Sequence, residues 1–104
     1  MKRIYIAGAY SGDNVMDVLH NIGRGIKASA KILKQGDAPF CPWLDYHFAL
    51  EDETIPKELF YRYSLKWLAV SDEVLVLKGW RKSEGTKKEI ALAKMRNIPV
   101  KYEK

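Results

Sequence analysis

The sequence has 104 residues, enough for one domain with a modest core, and its 47% hydrophobic and 30% charged content excludes a disordered chain. No apolar run approaches the ~20 residues of a membrane span, and one cysteine, Cys41, excludes an internal disulfide and leaves no Cys/His zinc spacing. The formal charge of +5 is scattered without a nucleic-acid-binding motif, so it reads as solubility or affinity for an anionic small molecule.

In chain order, four strand-like runs alternate with three helical segments. The first run is Arg3 to Ala7, too near the N-terminus for a signal peptide to precede it, so the cytoplasm is the expected compartment. A helix follows from about Asp13 to Gln35, with Val15, Val18, Leu19, Ile22, Ile26 and Leu33 at helical spacing and Gly36 as its C′ residue. Gly23 and Gly25 weaken this helix intrinsically, which close packing on the sheet would explain. The second strand is about Ala38 to Cys41, and Pro42 to Thr54 reads as irregular. Pro56 opens a second helix that runs to about Val70, carrying Phe60, Tyr63, Ser64, Trp67 and Val70 on one face. Tyr61, Tyr63 and Trp67 read as core rather than as a ligand platform. Glu73 to Leu77 is the most apolar strand, a third helix covers about Thr86 to Asn97, and Ile98 to Tyr102 is the last strand.

Pro39 and Pro99 place the second and fourth strands at the sheet edges, because proline cannot donate a ladder hydrogen bond. With right-handed crossovers the order is 2-1-3-4. The expected fold is a single α/β domain over residues 1–104, a small flavodoxin-like three-layer unit with a parallel sheet and three helices. The topology switches between the first and third strands, so the loops Gly8 to Asn14 and Lys78 to Thr86 should form the ligand crevice.

The first of these loops, Gly8-Ala9-Tyr10-Ser11-Gly12-Asp13-Asn14, can aim the N–H groups of the following helix at an anion, or be an ordinary turn capped by Ser11 or Asp13. It is not a Walker loop, because the lysine is missing. In the second loop, Trp80 either stacks on a nucleobase or covers the end of the sheet. Glu89 has two readings as well. Facing the crevice with Tyr10, it is a functional carboxylate; as the last residue of Thr86-Lys87-Lys88-Glu89, it closes a capping box. Lys87 and Lys88 in a first turn oppose the helix dipole, a misfit that a bound anion would relieve. His20 reads as solvent-facing, and His47 lies in the irregular segment with nothing to require it in the crevice.

These stretches, together with Leu65-Lys66-Trp67-Leu68-Ala69-Val70-Ser71-Asp72, resemble the nucleoside 2-deoxyribosyltransferase-like family, which includes the 2′-deoxynucleoside 5′-monophosphate N-glycosidases. The likeness covers about half the chain and is strongest at Ile4 through Gly12 and at Ser83-x-Gly85-x-x-x-Glu89. It implies an N-glycosidase or deoxyribosyltransferase in which Glu89 attacks the anomeric carbon and Tyr10 orients it. Gly8, Ser11, Gly12, Trp80, Ser83, Gly85 and Ser64 would line the substrate site. Ser83 stands where the monophosphate hydrolases carry serine, which implies a nucleotide rather than a nucleoside. The resemblance also implies no cofactor and no metal, a small-molecule nucleotide or nucleoside partner, no nucleic acid or membrane, and a homodimer or higher homo-oligomer. The short stretch after the last strand lacks the longer tail that lends site residues to a neighbouring subunit in some relatives.

Ser64 departs from the family pattern, which has an aspartate there to help protonate the leaving base. A serine hydroxyl cannot supply that proton near neutral pH. Either a carboxylate of the irregular segment (Asp45, Glu51, Asp52 or Glu53) replaces it, or the leaving group needs little protonation, or the chain is a catalytically inactive nucleotide-binding module. A third reading, a small basic α/β protein sharing only a sheet and a capping box, needs no ligand.

Overall fold

Alternation along Arg3–Ala7 sends Ile4 and Ile6 to one face of the chain's sheet and Tyr5 and Ala7 to the other. In the computed structural model, which describes residues 1–104, this segment is the strand β1. The remaining strands are β2 (Ala38–Phe40), β3 (Glu73–Val76) and β4 (Val100–Tyr102). All pairings are parallel and the order is β2-β1-β3-β4, as the placement of the prolines requires. Tyr5, at the middle of β1, lies opposite Phe40 on one side and Val74 on the other.

Two apolar layers sandwich the sheet. On one face, Ile4, Ile6 and Leu77 pack with Ile32 of helix α1 (Val15–Lys34) and with Trp43. On the other, Tyr5, Ala7, Val74 and Val76 pack with Leu68 of α3 (Lys57–Ala69) and with Ile90 and Ala93 of α4 (Glu84–Met95). A parallel sheet covered by helices on both faces should be apolar on both sides, and this one is. Glu73, buried at the start of β3, is the exception, and it is held by Lys101 at 2.8 Å.

The segment expected to be irregular is instead a 3-10 turn at Pro42–Asp45 followed by the short helix α2 (Tyr46–Glu51), giving four helices rather than three. The reason is Trp43. Its ring is buried and its indole N–H donates to the Ala9 carbonyl at 3.1 Å, which anchors the turn under the first crevice loop. Gly25 of α1 lies against this ring, and a Cβ there would collide with it. The glycine therefore permits close packing on a tryptophan rather than on the sheet, while Gly23 faces open space.

The caps also move. Asn14 caps α1, accepting the Asp17 N–H at 2.9 Å, in place of Ser11 or Asp13. Gly36 follows the helix at φ 96°, as its reading as a C′ residue predicts. On α3 only Ser64 and Leu68 are buried; Trp67 and Val70 are each 53% exposed, so its outer face is less covered than its spacing implied.

Candidate active site

A cavity of about 1010 Å³ opens where the loops after β1 and β3 part, at the switch point of the sheet. Its volume is at the upper end of the range for small-molecule sites. The β1 loop contributes Gly8 to Asp13, and the segment around the start of α4 contributes Lys82 to Thr86 and Glu89. Asp45 lines it from the 3-10 turn, and Phe60, Tyr61 and Ser64 line it from α3.

One wall of this cavity carries a carboxylate held by a buried phenol. Tyr5 is fully buried in the middle of β1, and its hydroxyl donates to Glu89 Oε2. Burial pushes the Glu89 carboxyl up to about 7, against the opposing effect of the Tyr5 hydrogen bond. Tyr5 itself is raised well above the usual phenol range, first by its own burial and then by the Glu89 charge. Tyr61 is raised in the same way, by burial and then by Glu89. Glu89 is thus a carboxylate that ionises near neutrality beside a phenol that stays protonated and donates.

The capping-box reading of Glu89 does not hold, because α4 begins one turn earlier than expected. Ser83 is the N-cap: its Oγ accepts the Thr86 N–H at 3.2 Å and the Thr86 hydroxyl at 2.9 Å. Glu89 lies well inside the helix and returns no bond to the cap. The lysine misfit dissolves for the same reason. Glu84 occupies the first turn, and Lys87 pairs with it at 3.2 Å.

Of the residues expected in the site, the structure brings Gly8, Tyr10, Ser11, Gly12, Ser64, Ser83, Gly85 and Glu89 to this one cavity. Tyr10, however, is not the tyrosine on Glu89. It is 37% exposed on the loop above β1, and its phenol is raised by burial and then by Asp45 and Tyr46. Trp80 lies elsewhere. Its ring packs on Tyr102 with centroids 5.6 Å apart, and the Arg81 guanidinium lies 4.9 Å from its centroid. It covers the end of the sheet rather than facing the cavity. His20 reaches the cavity wall while exposed, and His47 does not line it.

Several residues in or behind the wall escaped the sequence reading of the site, Tyr5, Tyr61 and Arg24 among them. Tyr5 looked like an ordinary core strand residue; only the alternation that sends it to the α4 face could have marked it. Tyr61 lines the cavity rather than the core. Arg24 of α1 also lines it, and its guanidinium donates to the Lys78 carbonyl at 2.7 Å and stands 3.6 Å from Glu103. That link ties α1 to the loop after β3. At the next residue, Gly79, the backbone turns with φ 85°, a conformation that suits glycine.

A family described as a domain of unknown function (DUF7768) matches residues 2–103, nearly the whole chain. No curated protein matches the sequence. Among solved structures, the fold matches that of a 2-deoxyribosyltransferase from the psychrotolerant bacterium Bacillus psychrosaccharolyticus. That match has a TM-score of 0.67 at 16% identity and covers 96% of this chain and 70% of the other. The fold of the resemblance drawn from the sequence is thereby shown. The relative is described as a biocatalyst for the synthesis of nucleosides.

Proposed function

We propose that this chain, which belongs to the DUF7768 family, is an N-glycosidase or deoxyribosyltransferase acting on a deoxynucleoside 5′-monophosphate or nucleoside. The observation that carries this reading is the Glu89 carboxylate, sheltered in the switch-point cavity and held by the Tyr5 hydroxyl. A carboxylate fixed beside an anomeric carbon stabilises oxocarbenium-like charge and can bond to it.

In the first step a Glu89 oxygen bonds to C1′ as the C1′–N bond breaks, and the electron pair leaves with the base, which takes up a proton. In the second, water or another base attacks C1′, the glycosyl ester breaks, and Glu89 is regenerated as its carboxylate. Tyr5 donates throughout to the Glu89 carboxyl group. Its bond orients the nucleophile and limits how far burial raises it, so the ionised form is available near neutral pH.

The 5′-phosphate belongs at the start of α4. Because the Ser83 Oγ accepts two bonds from Thr86, its own proton is free for a phosphate oxygen. The helix dipole favours an anion there, and Lys82 and Lys57 stand in the same wall. A second reading, a nucleotide-binding module without chemistry, is favoured by Ser64, which lines the cavity where the family resemblance calls for an acid.

We also propose a homodimer or higher assembly in the cytoplasm. Val15, Leu19, Ile26 and Leu33 leave an apolar stripe on α1 that is 42–69% exposed, and the buried free Cys41 suits a reducing compartment. Light scattering reporting only the monomer mass would remove the assembly.

The test of the reaction is base release, followed by chromatography, from a panel of deoxynucleoside monophosphates, ribonucleotides and free nucleosides. Release by the wild type that Glu89→Gln abolishes supports the glycosidase. Absence of release with every substrate, beside a nucleotide-dependent rise in Tm, moves the assignment to the binding module.

A further inference from the structure

Breaking a C1′–N bond leaves charge on the base, and Ser64 cannot neutralise it. Only one of the four acidic residues at Asp45 to Glu53 enters the cavity that holds Glu89. Glu51, Asp52 and Glu53 do not line it, and Asp52 is tied to Thr54 through bonds of 2.9 and 2.6 Å. Asp45 does line it, from the end of the turn that the Trp43–Ala9 bond anchors.

Around Asp45 stand Tyr10 from the β1 loop, Tyr46 from its own segment and Tyr63 from α3, next to Ser64. The Asp45 charge raises Tyr10 after burial does, and burial followed by Asp45 pushes Tyr63 up to about 12. No cation reaches its carboxylate, and no hydrogen bond holds it. Arg24 is committed to Lys78 and Glu103 across the cavity. Lys57 at the start of α3 and His20 on α1 share the wall without pairing with it. Asp13 and Asp17 also line the wall, but both are exposed, and Asp17 accepts the Asp13 backbone N–H at 3.2 Å.

We propose that Asp45 is the general acid of this site, donating its proton to a ring nitrogen of the leaving base while Glu89 attacks C1′. The inference rests on the glycosidase reading and deepens it. The acid has moved from α3, where the resemblance implies one, to the turn after β2, where no cation pairs with it. In the balanced step, the O–H bond of Asp45 breaks as the N–H bond of the base forms. Asp45 is left as carboxylate, and the water that resolves the glycosyl-enzyme returns the proton.

Burial pushes Asp45 up to about 6, beneath the value of about 7 at Glu89. The reactive form carries Glu89 ionised and Asp45 protonated, so the rate should rise with pH as Glu89 ionises and fall again as Asp45 loses its proton. The wild-type profile is then a bell centred between these two values, with only a minority of molecules reactive at its maximum.

The experiment compares wild type, Asp45→Asn, Asp45→Glu and Glu89→Gln over pH 5–9, with a natural deoxynucleoside monophosphate and with a deoxyriboside bearing a 4-nitrophenolate leaving group. Asparagine removes no cap, because the Asp45 side chain makes no capping bond to α2, and it removes a charge that burial disfavours, so the variant should fold with a Tm at neutral pH and above no lower than the wild type's. The expected result is a loss of about 10²–10⁴-fold with the natural base. The alkaline limb should disappear, activity on the nitrophenolate substrate should be nearly normal, and Asp45→Glu should recover part of the rate. A retained alkaline limb, or equal losses on both substrates, would overturn Asp45 as the acid while the dependence on Glu89 keeps the glycosidase. No release by the wild type from either substrate would sink both.

Discussion

At the scale of single residues, the site stores unfavourable electrostatics in two carboxyls. Glu89 ionises at about 7 when folded against an ordinary 4.5, so the folded state holds its proton over a range where the unfolded chain has released it. The sign follows directly: native protein binds more protons between these values, and stability falls as pH rises through them. The loss at pH 8 is up to about 3 kcal/mol, because each pKa unit is worth about 1.4 kcal/mol. Glu89→Gln should therefore raise Tm at pH 8 by several degrees and leave it unchanged at pH 4, as thermal melts at the two pH values would check. An equal Tm at pH 8 would contradict the buried charge.

Tyr5→Phe removes the donor from that carboxylate. It should cost about 1.5–3 kcal/mol at pH 8, where Glu89 is charged, and move the acid limb of the rate profile to higher pH. These two residues show where the sequence was legible and where it was not. Glu89 could be singled out because a motif surrounds it. Tyr5 could not, because a phenol in a buried strand is ordinary and only the partner on α4, 84 residues away in sequence, gives it a task.

At the scale of elements, the helix α1 separates two glycines that look alike in sequence. Gly25→Ala puts a methyl group into the Trp43 ring and should destabilise by about 1–3 kcal/mol. Gly23→Ala meets nothing and should stabilise by roughly 0.5–1 kcal/mol, since glycine weakens a helix interior. Denaturant melts of the two variants should move in opposite directions; parallel shifts would mean that Trp43 does not wedge against α1. Local signals found β1 to the residue, α1 to within two residues at its start and one at its end, and the glycine that follows α1. They missed the 3-10 turn and α2, whose shape comes from one tertiary bond, Trp43 to Ala9, rather than from periodicity. They also began α4 too late, because Ser83 and Thr86 are both good caps and the pattern alone does not choose between them.

At the scale of the whole molecule, the sheet order could be deduced because two prolines mark its edges and the two central runs are apolar on both faces. That order fixes a switch point, and a cavity of about 1010 Å³ lies there with nearly all the expected residues around it. Trp80 escaped this logic. A tryptophan at the end of a strand can turn toward a ligand or back over the sheet, and here Tyr102 of the edge strand draws it back. If the cavity takes a nucleotide, the native state must gain stability from it. A deoxynucleoside monophosphate at 100 times its Kd should stabilise Glu89→Gln by about 2.7 kcal/mol, visible as a Tm rise of roughly ten degrees or more. An unmoved Tm across the panel would favour a protein that shares the sheet without the ligand.

The covalent step is the centre of the account, and mass spectrometry of the acid-quenched enzyme tests it most directly. During turnover of a deoxynucleoside monophosphate, the peptide containing Glu89 should gain the mass of one deoxyribosyl phosphate group, and Glu89→Gln should show no such gain. Base release with unmodified Glu89, or with the sugar on another residue, would contradict it.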